Sequence, residues 1–181
     1  MDGVLSSPPV QKYDALVFYK PEADAVNNTI RASIINQSEI ADTSIYANAV
    51  GGFYTVLENG QIAERLRQVD NGEPHKDQPR HPRSAAGLSE DGRFLFLLVA
   101  DGRRLKSGGL NEAELAMLLR RLGSYNGLNL DGGGSSALAM RFPDGKTKTV
   151  NTPVHNNVPG SQRAVATCLG IAYNADYVST H

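Results

Sequence analysis

The stretch Leu128-Asn129-Leu130-Asp131-Gly132-Gly133-Gly134-Ser135-Ser136-Ala137-Leu138-Ala139-Met140 constrains this chain more than any other. An apolar segment runs into a carboxylate, three glycines and two hydroxyls, then turns apolar again. Three consecutive glycines remove every Cβ from that part of the backbone, so a ligand can approach the main chain closely. Successive N–H groups in such a turn can converge on an anion, with Ser135 and Ser136 adding donors. Asp131, at the strand end, would stand at the mouth of that cradle. Asp-Gly between apolar runs is also a hairpin signal, and Gly-Ser runs also serve as linkers. This run interrupts two strand-like segments rather than joining domains. That disfavours a linker and leaves turn and site both open.

With 181 residues, 40% of them hydrophobic, the chain is long enough for one domain with a sizeable core. A net charge of −1 gives no electrostatic case for nucleic acid or an anionic membrane as partner. No run of about 18 apolar residues occurs, so membrane insertion by a helix is not expected. The start, Met1-Asp2-Gly3-Val4-Leu5, carries no basic-then-apolar leader. Cys168, the only cysteine, lies in the apolar run Ala164 to Tyr173, where a buried inert thiol is expected.

Residues 1–11 read as a loose Ser/Pro-rich arm, and 12–181 as the folded domain. Ala15 to Tyr19 reads as a strand, while Thr29 to Ile35 could be strand or helix. Tyr46 to Tyr54 holds a strand-like piece with Gly51-Gly52 inside it, a sign of a bulge or close backbone approach. Gly60 to Pro82 is polar and proline-bearing, and is expected to be a long surface loop. Arg83–Leu88 and Arg93–Ala100 form a hairpin across Ser89-Glu90-Asp91-Gly92. The continuous apolar run Phe94 to Ala100 predicts a central strand buried on both faces. A helix is predicted over Glu112 to Leu122, with Asn111 as N-cap, Glu114 closing a capping box and Gly123 just past its end. Leu128-Asn129-Leu130 and Ala137 to Phe142 flank the glycines as strands. Pro143 to Lys146 is a tight turn from which Thr147 to Asn151 can pair back, and Ala164 to Tyr173 is the last strand. The fold class is therefore α+β, a single domain of mixed β-sheets with few helices.

The glycine run matches a dinucleotide fingerprint at Gly132, Gly134 and Ala137. That reading needs a helix next, and Pro143 stands in the way. A nucleophile elbow fails at Ala137, so Ser135 and Ser136 read as donors rather than nucleophiles. His75, His81, His155 and His181 lack metal-ligand spacing and read as solvated loop residues. Asp101, in Asp101-Gly102-Arg103, could place a second carboxylate at a strand end adjacent to that of Asp131. Glycosidic cleavage uses such pairs. Arg83 and Arg163 open strands and could fork onto a phosphate.

These motifs occur in a set order: Arg83-Ser84-Ala85-Ala86-Gly87, Val99-Ala100-Asp101-Gly102-Arg103, Gly109-Leu110-Asn111-Glu112-Ala113-Glu114-Leu115, Asn129 to Ser136, and Arg163-Ala164-Val165-Ala166. Together, over roughly residues 45 to 173, they resemble the phosphodiester glycosidase family. The resemblance implies cleavage of a sugar–phosphate ester bond at the anomeric carbon. By residue it implicates Asp101, Arg103, Asp131, Gly132, Gly133, Gly134, Ser135, Ser136, Arg83 and Arg163. Where the family usually has Asn before Gly-Gly-Phe, Val50 precedes Gly51-Gly52-Phe53, and Asn48, on the same strand face, could substitute. Thr167 stands at a second usual Asn.

The expected function is a hydrolase of a sugar 1-phosphodiester, with Asp131 as nucleophile or base and Asp101 as the second catalytic carboxylate or a positioning group. The rival is a non-catalytic binding module for phosphorylated or anionic glycans. No cofactor is called for; a divalent cation is possible, but no spacing indicates one. The substrate class points to the cell envelope or outside the cell, with any leader missing from this chain.

Overall fold

The computed structural model describes residues 7–21, 30–67, 69–70, 73–74 and 78–172. Its first sheet is built on a strand buried on both faces, Ala15, Leu16 and Val17 in succession. Strands β1 (Asp14–Tyr19), β2 (Ala32–Asn36) and β3 (Tyr46–Gly51) pair antiparallel in the order β2-β1-β3. Leu16 faces Ile34 on one side and Val50 on the other, and is fully buried. The ambiguous segment is thus a strand from Ala32; Thr29 lies outside the described residues. Asp14 ties this sheet to the next, its Oδ2 accepting from the Thr55 N–H at 2.7 Å and hydroxyl at 2.8 Å. Val10, in the expected arm, donates its N–H to Gln37 Oε1 at 2.8 Å.

Strands β4 (Thr55–Glu58) and β5 (Gln61–Ile62), helix α1 (Glu64–Arg67) and the two-residue strands β6 (Val69–Asp70) and β7 (Glu73–Pro74) follow. They occupy much of what reads as a polar loop. Ala63, Leu66 and Pro82 are buried there, which supplies the structure the polar composition conceals. Next come β8 (Arg83–Leu88) and β9 (Leu95–Ala100), the expected hairpin, then α2 (Glu112–Arg121) and β10 (Asn126–Asn129). The chain continues through β11 (Ala139–Arg141), β12 (Thr147–Thr149), β13 (Val154–His155) and β14 (Val158–Pro159).

The main sheet has the order β5-β4-β10-β8-β9. One face packs on α1 and α2 through Val56, Leu57, Ala85, Leu115 and Leu119. The other packs on the first sheet through Leu16, Ala86, Leu88 and Leu128. Each such side chain contributes about 1.5–3 kcal/mol on burial. Helix α2 carries the full capping box, Asn111 Oδ1 accepting from Glu114 N and Glu114 Oε2 from Asn111 N. It sits close because Gly127 lacks a side chain: a Cβ there would meet Leu119 Cδ1 at 2.7 Å.

The α+β class holds, with every ladder among the described residues antiparallel rather than mixed. Other expectations are corrected. Strand β9 is the edge of the main sheet, not its centre, and Phe94 (59%) and Leu97 (37%) are exposed. Its continuous apolar run reflects two different neighbours, Leu98 turned to the helices and Leu95 to the first sheet. Residues 164–172 form no strand among the described residues, and Cys168 is exposed. Leu122 lies past the helix and is half exposed, leaving Ala113, Leu115, Ala116 and Leu119 as the buried face.

Candidate active site

Strands β9 and β10 both run antiparallel to β8. The ends of β9 and β10 and the start of β8 therefore meet at one edge of the sheet. Asp101, Arg83 and Asp131 sit there, with β8 between the two acids. The expected adjacency of the two strand ends is replaced by a separation of two strand spacings, about 10 Å.

The glycine loop leaves β10 and makes one 3-10 turn, Gly133–Ser135. Gly133 has φ of 60° and donates its N–H to the Pro82 carbonyl at 2.8 Å. The Ser135 and Ser136 amides bond back to Gly132 and Gly133 carbonyls at 3.2 Å. The Gly132 and Gly134 amides have no acceptor among the described residues. Ser136 is fully buried, its hydroxyl accepting from Ser84 Oγ at 3.3 Å, while Ser135 turns outward. The missing Cβ atoms serve a different purpose: they admit side chains. The Arg103 guanidinium lies 3.1 Å from where a Gly133 Cβ would stand. His155 Nδ1 and Arg163 Cβ lie 2.9 and 3.4 Å from that of Gly134. The loop is lined by two cations and an imidazole more than by its own amides.

Asp131 is more than half exposed, and its Oδ2 accepts from Arg163 Nη2 at 2.8 Å. The same guanidinium donates through Nε to Ser135 Oγ at 2.9 Å, and through Nη2 as well. Arg163 is the one member of this group set by the C-terminal segment, where its N–H reaches the Gly134 carbonyl at 3.4 Å. Asp101 is differently employed. Its Oδ1 accepts from Asn151 Nδ2 and from the Thr152 N–H, both at 3.0 Å; its Oδ2 accepts from Arg104 Nη1 at 2.9 Å. Arg103 follows with φ of 54°, uncommon outside glycine and a mark of a backbone held by its surroundings.

The remaining sequence candidates lie apart from the loop. Arg83 is largely buried, with Nε donating to the Leu110 carbonyl at 3.0 Å and Nη1 3.7 Å from Glu112. Burial lowers its pKa, against the pull of Glu112. Glu112 also pairs with Arg65 at 2.5 Å. Gly51 packs against Gln37, and a Cβ on Gly52 would strike Leu128 at 2.8 Å, so both glycines serve close approach within the fold. Asn48 is exposed on edge strand β3, and its side chain makes no hydrogen bond among the described residues.

Three residues that sequence reasoning passed over belong to this end of the sheet. His155 reaches it on β13, and Asn151 on the segment after β12. His81 bridges to Leu110, and its pKa is lowered by burial first and then by Arg83 and Arg103. Nothing local in the sequence marks the histidines. Asn151, two residues before Pro153, carries a turn signal and nothing more. His75 and His181 lie outside the described residues, among which no group of three acidic, histidine or cysteine side chains could hold a metal ion.

A family model described as phosphodiester glycosidase matches residues 4–172. The chain belongs to the phosphodiester glycosidase family. The SPbeta prophage-derived uncharacterized protein YomE of Bacillus subtilis strain 168 is 37% identical over 97 residues, 54% of this chain and 14% of that protein. The fold is shared with the zebrafish N-acetylglucosamine-1-phosphodiester α-N-acetylglucosaminidase catalytic domain, at a TM-score of 0.51 and 22% identity over 74% of this chain and 44% of that one. A hypothetical protein from Synechocystis aligns at a TM-score of 0.40 and 20% identity over 73% of this chain and 30% of that one. The chain thus spans less than half the length of these proteins.

Proposed function

We propose that this chain hydrolyses the glycosidic bond of a sugar 1-phosphodiester, with Asp131 as the carboxylate at the anomeric centre. The observation that carries the reading is the Asp131–Arg163–Ser135 ring closed over glycines against which Arg103 and His155 also pack. A carboxylate open to solvent stands beside cations that can receive a phosphate. Family membership supports the same chemistry.

In this mechanism Asp131 attacks the anomeric carbon to form a glycosyl ester that water then hydrolyses, or takes the proton from the water that attacks directly. Either way the bond from that carbon to the phosphate oxygen breaks, and its electron pair stays on phosphate. Phosphate leaves well without a strong acid, so the demand falls on fixed positive charge. Arg163 and Arg103 meet it at the loop, with Ser135 and the free Gly132 and Gly134 amides as further donors. Arg83, committed to the Leu110 carbonyl and Glu112, supports the start of β8 rather than the phosphate. Asp101 positions rather than reacts, its oxygens already engaged by Asn151, Thr152 and Arg104.

The commitment of Asp101 also favours a second reading, a non-catalytic module that binds phosphorylated glycans with the same loop. UDP-N-acetylglucosamine separates the two. Release of free sugar with time supports hydrolysis, and saturable binding with no release supports the module. In heavy-oxygen water the label enters the sugar if the carbon–oxygen bond breaks. Label in the phosphate contradicts the mechanism.

A further inference from the structure

One side-chain amide joins three segments at this edge of the sheet. Asn151 Nδ2 donates to Asp101 Oδ1 and to the Ser136 carbonyl, both at 3.0 Å. Its Oδ1 accepts from the Leu138 N–H at 2.8 Å. The loop after β9, the glycine loop and the segment after β12 are therefore pinned through Asn151. The neighbouring Thr152 N–H adds a second bond onto Asp101, shared between the two carboxylate oxygens at 3.0 and 3.2 Å. The strand pair just before it offers no comparable hold: Ala139 to Arg141 are exposed throughout, as are Thr147 and Lys148.

From this geometry we infer that Asn151 is a positioning residue for the glycine loop, and that Asp101 acts through it as an anchor rather than on substrate. The inference rests on the hydrolase reading above for its kinetic consequence, and on hydrogen bonding alone for its structural one. Two residues beyond Asp101 stands Arg103, in its left-handed conformation and against Gly133. Fixing Asp101 to Ser136 through one amide sets the distance between that arginine and the loop it lines. A misplacement of about 1 Å in such a constellation is enough to cost on the order of 100-fold in rate.

The roles of the two polar groups separate by isosteric exchange. Asp101→Asn keeps an oxygen where Asn151 Nδ2 and Thr152 N–H donate, so the clamp survives while the carboxylate is lost. Asn151→Asp keeps the acceptor for Leu138 but removes both donated bonds and sets two carboxylates face to face. The inference expects Asp101→Asn to hydrolyse UDP-N-acetylglucosamine within about fivefold of the parent protein, since a neutral hydrogen bond replaces a charged one. It expects Asn151→Asp to lose at least tenfold in kcat with KM little changed, and the double variant, which restores a donor between positions 101 and 151 but none to the Ser136 carbonyl, to recover only a minor part of that loss. Amide exchange supplies the reading that activity does not. Asn151→Asp should leave Leu138 protected and raise exchange at Gly133, Ser135 and Ser136 by tenfold or more. Asp101→Asn as inactive as Asp131→Asn would make Asp101 a reacting group and overturn the inference. Unchanged exchange at the loop in Asn151→Asp would overturn it equally. Should the parent protein release no sugar, the hydrolase reading falls, and the exchange result alone decides for or against the clamp.

Discussion

Arg163 Nη2 donates to Asp131 Oδ2 at 2.8 Å while its Nε holds Ser135 Oγ at 2.9 Å, so one guanidinium spans the glycine loop from carboxylate to hydroxyl. The planar fork matters as much as the charge, because a lysine offers a point cation with no fixed geometry. Truncation to Arg163→Ala removes charge-assisted bonds of about 1.5–3 kcal/mol, so kcat/KM for a sugar 1-phosphodiester falls on the order of 10- to 100-fold. Arg163→Lys falls between the two. Steady-state kinetics check this, and an Arg163→Ala enzyme with parental kcat/KM removes the arginine from phosphate stabilisation.

Gly134 has no room for a methyl group, with His155 Nδ1 2.9 Å and Arg163 Cβ 3.4 Å from its Cβ position. Gly134→Ala pushes these two side chains off the loop and lowers turnover, at a stability cost of about 1–3 kcal/mol. Gly170→Ala is the control, since nothing lies within 4 Å of that position. Thermal melting and turnover measured side by side distinguish them; equal behaviour of the two variants contradicts the packing described.

His81 carries a pKa below its ordinary value of about 6.5, held down by burial and then by the Arg83 and Arg103 charges. The unfolded chain therefore binds a proton more readily than the folded one in the window below that value. Stability rises with pH through this window and levels off above it. His81→Gln flattens that part of the profile, as melting temperatures across pH 4.5 to 8 would register. A parental slope in the variant assigns the acid sensitivity elsewhere.

Much of this arrangement was legible in the sequence because it is written in local patterns. The helix at Glu112 announces itself through Asn111 and Glu114, and the β8–β9 hairpin through its turn residues. The Asp131 loop stands out by composition alone. What stayed hidden depends on contacts between distant segments. No local pattern says that Asn151 reaches Asp101, 50 residues away, or that His155 packs on Gly134. Continuous hydrophobicity in Phe94 to Ala100 reads as double burial, yet β9 has a partner on one side only, among the described residues. Polar composition hid α1, whose single buried Leu66 suffices to dock it. The glycines themselves are ambiguous in sequence, since a missing Cβ makes room equally for a ligand or for Arg103.

Leu119 joins α2 to the main sheet with no exposed surface, over a site where Gly127 already admits it closely. Leu119→Ala costs about 2–5 kcal/mol, as for other large-to-small core changes. Denaturant titration measures it, and a loss below about 1 kcal/mol would mean that α2 is not fastened there. Met117→Ala, on the exposed face of the same helix, stays within about 0.5 kcal/mol of the parent.

The most direct measurement is sugar release from UDP-N-acetylglucosamine by the parent protein and by Asp131→Asn, with melting temperatures confirming that both are folded. If Asp131 is the reacting carboxylate, the parent releases sugar, and the substitution lowers turnover on the order of 100-fold or more while the fold persists. A folded Asp131→Asn protein that turns over at close to the parental rate contradicts the account.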